Sequence, residues 1–207
     1  TGVSADGIKY PPSIIGGQKI KLFFNELVGA GRSERLIEKL PLPLSIIATD
    51  IGTGERVVLR EGRLTVAMRA SMSVPGLLAP VRLGKHHLVD GGLVDNVPIE
   101  EVRQRCNPDL VIAVNVGSPL MNADDVNSLL SVSAQMVNIL TEQNVTRSLA
   151  TLKPADIYIK PDLGTITAGD FSRNAEAADR GRAAAEAVRD RLAHLSASPA
   201  ATMFLAM

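Results

Sequence analysis

His87-Leu88-Val89-Asp90-Gly91-Gly92-Leu93-Val94-Asp95-Asn96-Val97-Pro98 compresses a strand, a turn and a helix start into twelve residues. Residues 87–89 read as a short strand, and Asp90-Gly91-Gly92 as the turn at its carboxyl end. Pro98 suits the first position of a helix through Arg105, because the N–H that proline lacks would be unbonded there anyway. Upstream, residues 81–83 and Gly84-Lys85 complete a hairpin with that strand. Downstream, residues 110–116 form an apolar run without alternation, as expected of a strand covered on both faces. A helix from Asp124 to about Ala150 and a strand at 156–160 follow. Strands near 87, 110 and 156 separated by helices give a βαβαβ order, for which right-handed crossovers onto a parallel sheet are expected.

The flanks fit an α/β protein. Residues 1–17 are rich in Gly, Pro and Ser without periodicity and read as a loop. Residues 18–28 carry Ile20, Phe23, Phe24, Leu27 and Val28 at helical spacing, with Gly29 as a stop. Residues 44–49 form a buried strand, Asp50-Ile51-Gly52-Thr53-Gly54 a turn, and a second strand runs through Leu59, so another hairpin is predicted. A short helix spans residues 64–70 and ends before Pro75-Gly76. Ala-rich residues 174–195 form a helix, and 196–207 a tail. The organisation expected is one domain, 1–207, with a loop at 1–17, a core over 18–195 and the tail. A sheet of so few strands leaves an edge needing a partner, and an N-terminal part of the same protein is the candidate.

Composition narrows the function classes. The 22 basic residues balance 22 acidic ones, so no net field draws the chain to nucleic acid. Cys106 is the single cysteine, which removes internal disulfides and thiolate metal sites, and His86-His87 lacks a second ligand cluster; no metal or cofactor is implied. No apolar run approaches the roughly 20 residues that span a bilayer, so a cytoplasmic or peripheral membrane protein is expected. The chain opens at Thr1 and not at methionine, which suggests a cut or processed N-terminus.

Asp90 lies where open α/β sheets place their ligands, at the carboxyl end of a strand. Its two glycines permit close approach of a second loop, although Asp-Gly also makes ordinary turns. Asn96 is either a support for that loop or a cap for the helix at Pro98, and Asp95 is a structural charge near the helix start. Ser73 with one of His86 and His87 and Asp90 would make a rival triad; adjacent strand residues face opposite ways, so only one histidine could join it. Arg69 could bind an anion or pair with a carboxylate.

Around Asp90 stand Arg69-Ala70-Ser71-Met72-Ser73-Val74-Pro75-Gly76 and the Asp-Gly-Gly and Asn-x-Pro elements, in that order. Ala48-Thr49-Asp50, Thr53-Gly54 and Leu59-Arg60-Glu61-Gly62 precede them, and Val111-Ile112-Ala113-Val114-Asn115-Val116 follows. Over about residues 16–120 this ordered set resembles the bacterial branch of the patatin-like phospholipase family.

The resemblance implies a three-layer α/β fold with a mostly parallel central sheet, represented here by its C-terminal part. It implies a serine hydrolase using a Ser-Asp dyad in which Asp90 is the catalytic carboxylate and Gly91, Gly92 and Asn96 support the active-site loop. The Arg69 to Gly76 stretch would border the site, making Ser73 and Pro75 substrate-pocket candidates. The G-x-S-x-G nucleophile segment and the oxyanion loop belong upstream of the matched region. Gly2-Val3-Ser4-Ala5-Asp6 fails as that elbow, since its last position is Asp and no apolar strand precedes it. The partners implied are a lipid or ester substrate, the missing N-terminal segment, and a membrane surface in transient contact. The segment alone is expected to be inactive, because nucleophile and oxyanion donors would both be absent. A non-catalytic module binding an acyl ligand or a protein is the alternative. A serine base must accept a proton, so Asp90 is expected to be shielded enough to raise its pKa.

Overall fold

The computed structural model describes residues 2–4, 7–9, 24–26, 28–29, 35–167 and 170–195. A hairpin pairs β1 (Gly2–Ser4) with β2 (Gly7–Lys9), in a stretch where sequence predicts only loop. Three-residue strands are too short to leave a period in the sequence. Residues 24–26 are helical, within the helix predicted over 18–28, most of which lies outside the described residues.

Both predicted hairpins form. Strand β3 (Ile46–Asp50) turns through Asp50–Gly54 into β4 (Arg56–Leu59), with the Asp50 carbonyl accepting the Gly54 amide at 2.7 Å. Strand β5 (Val81–Leu83) turns at Gly84, whose φ of 58° suits a residue without Cβ, into β6 (His86–Asp90). These strands make a four-stranded sheet in the order β4-β3-β6-β5, antiparallel throughout. The α/β class holds, but the mostly parallel sheet expected for it appears, among the described residues, only where β7 (Ile112–Val114) runs beside β8 (Ile157–Ile159). Tight turns return the chain antiparallel within each of the two hairpins, and the parallel β7–β8 pair is joined by a link long enough to carry a helix.

Helix α1 (Leu64–Ser71) covers the antiparallel sheet, burying Leu64, Ala67 and Ala70 against Ala48, Leu59 and Leu88. Burial of a leucine such as Leu88, fully inaccessible to solvent, stabilises by about 2 kcal/mol. Helix α2 (Ile99–Cys106) and helix α3 (Leu129–Leu149) pack a second cluster of Val97, Ile99, Val111, Ala113 and Val145. Helix α3 begins later than predicted because Ser128 caps it, its Oγ accepting the Ser131 amide at 3.1 Å. The helix predicted over 174–195 is divided into α4 (Asn174–Glu186) and α5 (Arg189–Ala193). From α5, Arg191 reaches the Asp156 carbonyl at 2.7 Å, a contact outside the reach of a local periodicity argument.

Glu101 ties the two clusters together. On α2 it is 1% exposed, and Arg60 at the end of β4 holds it through a two-pronged contact, Nε to Oε1 at 2.9 Å and Nη2 to Oε2 at 2.8 Å. The Arg60 side chain keeps the Glu101 carboxyl below the ordinary carboxylate range, and the Ser45 hydroxyl adds a bond to Oε1 at 2.5 Å. Arg60→Ala would leave this carboxylate buried without its cation and is expected to destabilise the fold at neutral pH, read as a fall in the urea midpoint. Because the folded pKa is depressed, the Arg60 contribution is full above the ordinary glutamate range and lost as pH falls through the folded pKa. The gap between variant and parent should therefore narrow on acidification.

Candidate active site

Three contacts fix the backbone around Asp90. Its amide donates to the Ser73 carbonyl at 3.1 Å, and its carbonyl accepts the Thr49 hydroxyl at 2.7 Å. Asp90 sits opposite Ala48 in the β3–β6 register, so the last residue of β6 is anchored to the central strand. Immediately afterwards the chain turns through a single 3₁₀ turn, Gly91–Leu93.

Glycine is required at the first turn position by close approach. A Cβ on Gly91 would sit 2.2 Å from the Ile47 carbonyl oxygen and 2.6 Å from its carbon, both backbone atoms of β3. Gly92 is crowded by side chains instead: a Cβ there would lie 2.9 Å from Asn96 Oδ1 and 3.0 Å from Asp90 Oδ1.

The carboxyl itself is partly buried. Its Oδ1 accepts the Gly92 amide at 2.7 Å, and Oδ2 has no hydrogen-bond partner among the described residues. Burial pushes the Asp90 pKa above the ordinary carboxylate range, and the Gly92 amide offsets that rise only in part. One oxygen is thus fixed and the other is left to accept a proton, the division of labour a general base needs.

The turn is held from the opposite side by α3, which the sequence reading did not connect to the site. Asn144, 4% exposed, donates from Nδ2 to the Gly92 carbonyl at 2.8 Å and accepts the Asn96 amide on Oδ1 at 2.9 Å. Thr141 donates to the same Gly92 carbonyl at 3.1 Å. Asn138, Thr141, Asn144 and Ser148 do recur at helical spacing, but Gln135, Glu142, Gln143, Thr146 and Arg147 make other faces of this helix polar too, so no distinct stripe marks them in the sequence.

Asn96 does not cap the following helix. That helix has Pro98 as its N-cap and no side-chain cap bond. The Asn96 side chain instead lies between Gly92 and Gly117. Asp95 pairs with Arg56 of β4 at 2.6 Å, so its charge is answered by the neighbouring sheet.

The rival triad does not assemble. Ser73 is fully buried, its hydroxyl donating to the Arg69 carbonyl at 2.6 Å and accepting from the Arg69 guanidinium. His86 is paired through Nδ1 with Asp50 Oδ2 at 2.6 Å, at the far end of β6, about 13 Å along the strand from Asp90 by strand rise. His87 is exposed. Ser73 acts on Asp90 through its backbone carbonyl, and Arg69, bound also to the Ala79 carbonyl at 3.1 Å, braces the loop that follows. Pro75 is partly exposed in that loop.

Asp90 does not line the surface depressions that lie against α4 and α5 and along α3. No helix among these residues is long and apolar enough to cross a membrane.

Residues 6–103, which contain this turn, match the family described as patatin-like phospholipase. An uncharacterized NTE family protein of Mycobacterium tuberculosis is 38% identical over 103 residues, covering 49% of this chain and 28% of that protein. Another from the same organism is 29% identical over 173 residues, covering 73% of this chain and 30% of the relative. The patatin-like phospholipase domain-containing protein 7 of Rattus norvegicus is 30% identical over 174 residues, 72% of this chain and 13% of its own length. The matched chain therefore spans less than a third of each of these relatives.

Proposed function

Because the chain belongs to the patatin-like phospholipase family, we propose that it is part of a lipid acyl hydrolase, of phospholipase A, lysophospholipase or carboxylesterase type, and supplies the Asp90 base of a Ser-Asp dyad. The observation that carries this reading is the half-engaged carboxyl: Oδ1 bound by the Gly92 amide, and Oδ2 without a partner among the described residues. In the reaction, a serine hydroxyl from an upstream segment of the intact polypeptide passes its proton to Asp90 as its oxygen attacks the ester carbonyl carbon. The proton then goes to the departing alcohol as the ester C–O bond breaks, leaving an acyl-serine. Water, deprotonated by the same carboxylate, hydrolyses that intermediate and restores the serine.

Within this chain Gly91, Gly92 and Asn96 shape the loop that holds the base. The Ser73–Pro75 loop borders it, with Pro75 the better placed to meet substrate because the Ser73 hydroxyl is bound to Arg69. The substrate is a carboxylic ester of a lipid, met by a cytoplasmic protein in transient contact with a membrane surface. Serine and oxyanion donors both lie outside these residues on this reading, so the segment alone is inactive.

A serine-directed fluorophosphonate tests the proposal on the intact gene product. Covalent labelling at a serine upstream of Thr1 is expected. Labelling at Ser73 would return the triad, and no labelling would favour a module that binds an acyl ligand or a protein without turning it over.

A further inference from the structure

The polar groups around the Asp90 turn are mostly answered from within the fold. The Gly92 amide goes to Asp90 Oδ1, and the Gly92 carbonyl takes the Thr141 hydroxyl and the Asn144 carboxamide. The Gly91 carbonyl accepts the Val94 and Asp95 amides at 3.1 and 3.0 Å, and the Asn96 amide goes to Asn144 Oδ1. Against these, two groups stand without a hydrogen bond among the described residues: Asp90 Oδ2 and the side-chain carboxamide of Asn96.

Asn96 is nevertheless held in place. Its amide is fixed by Asn144, which is 4% exposed, and its side chain is half-buried with Oδ1 turned toward Gly92. Asn96 Oδ1 and Asp90 Oδ1 stand 2.9 and 3.0 Å from one point, the Cβ position of Gly92. A half-buried carboxamide that is positioned but unanswered carries a desolvation cost that a ligand would offset. The turn therefore presents a base and, beside it, a neutral acceptor.

The two halves of an acyl-serine reaction make unequal use of such a pair. In acylation the attacker is a serine hydroxyl, which has one proton to give and is tethered by its own backbone. In deacylation the attacker is a free water with two O–H bonds, and the carboxylate accepts only one of them. The other must find an acceptor if the oxygen lone pair is to face the acyl carbon.

We propose that Asn96 is a catalytic residue of deacylation, its Oδ1 accepting the second O–H of the hydrolytic water while Asp90 Oδ2 accepts the first. This inference rests on the Ser-Asp dyad. As the water oxygen bonds to the acyl carbon, its first proton passes to Asp90; the bond from that carbon to the serine oxygen then breaks, and the proton returns to the serine. The second proton stays on the water oxygen and departs with the carboxylic acid, so Asn96 ends each cycle unchanged.

Methanol separates this role from a structural one, because its single O–H goes to Asp90 and leaves none for Asn96. The intact polypeptide is given p-nitrophenyl butyrate in water–methanol mixtures, and the methyl ester and free acid formed are measured together. In Asn96→Ala the ratio of methyl ester to acid is expected to rise about tenfold over the parent, the worth of one hydrogen bond in a rate. An unchanged ratio overturns the proposal whatever happens to the total rate, since a distorted loop slows both nucleophiles alike. Asn96→Leu, close to asparagine in size and without an acceptor, controls for the lost volume and should give the same rise. Loss of both products in both variants also overturns it, because Asn96 then serves only the fold of the loop. A parent that releases no p-nitrophenol, or releases it without forming an acyl-serine, rejects the dyad and this inference with it before any variant is compared.

Discussion

Asp90→Asn in the intact polypeptide is expected, on the proposed Ser-Asp dyad, to lower kcat/KM for a carboxylic ester by about a thousandfold, because the amide cannot accept a serine proton. The geometry should survive: an asparagine Oδ1 still accepts the Gly92 amide, and the backbone bonds to Ser73 and Thr49 do not involve the side chain. A loss of activity through misfolding is therefore separable from a loss of chemistry. The variant should in fact be somewhat more stable, by about 1 kcal/mol in urea unfolding, since a charge that burial disfavours has been replaced by a neutral group. The sign follows from linkage. Burial raises the folded pKa of Asp90, so the native state holds its proton more tightly than the unfolded chain. The penalty is complete above the folded pKa and relieved as pH falls towards the ordinary carboxylate range. The stability gain of Asp90→Asn should accordingly be largest at neutral pH and fade on acidification. On the proposed dyad, the acid limb of the parent's hydrolysis should lie above the pH expected of a solvent-exposed aspartate. Retention of hydrolysis within tenfold by the variant would remove Asp90 from the chemistry.

Gly91→Ala has the largest expected effect on stability. The added methyl would stand 2.2 Å from the Ile47 carbonyl oxygen, and neither partner is a side chain that can swing away. Relief requires the end of β6 to part from β3 at the Ala48–Asp90 pair, which is the anchor of the catalytic candidate. Destabilisation of about 3 kcal/mol or more is expected, read as a fall in the urea midpoint without change in slope. Gly92→Ala provides the contrast. Its added methyl meets the Asn96 and Asp90 side chains at 2.9 and 3.0 Å, groups that can give way, so the cost in stability should be smaller and the displacement should fall on the carboxyl. Equal destabilisation by both substitutions would mean that the turn is softer than the contacts indicate.

Much of the site was legible because it is local. Residues 88–92 announce a strand that ends in an acid and two glycines, and the hairpins at Asp50–Gly54 and Gly84-Lys85 announce themselves by turn chemistry. Sheet direction was not legible in the same way. An apolar run covered on both faces looks alike in parallel and antiparallel sheets, and the β3–β6 pairing that makes the main sheet antiparallel joins segments about 40 residues apart, as Thr49 and Asp90 illustrate. Distance in sequence also hid Glu101, whose charge reads as solvated until Arg60 is brought beside it. Asn96 read as cap or as loop support because both readings place it just before a helix; the partner of its backbone amide, Asn144 Oδ1, lies 48 residues later and could not be read locally.

Asn144 also imposes a ruler on the loop it grips. One carboxamide contacts the carbonyl of Gly92 and the amide of Asn96, so the peptide between those points has to begin and finish within the width of a single functional group. An added or deleted residue there would break one contact and strand a buried polar atom, whereas the segment after Asn122 meets no such gauge. Divergence in loop length should accumulate away from this span, leaving the spacing from Asp90 to Asn96 as the fixed dimension around which the rest of the polypeptide can vary.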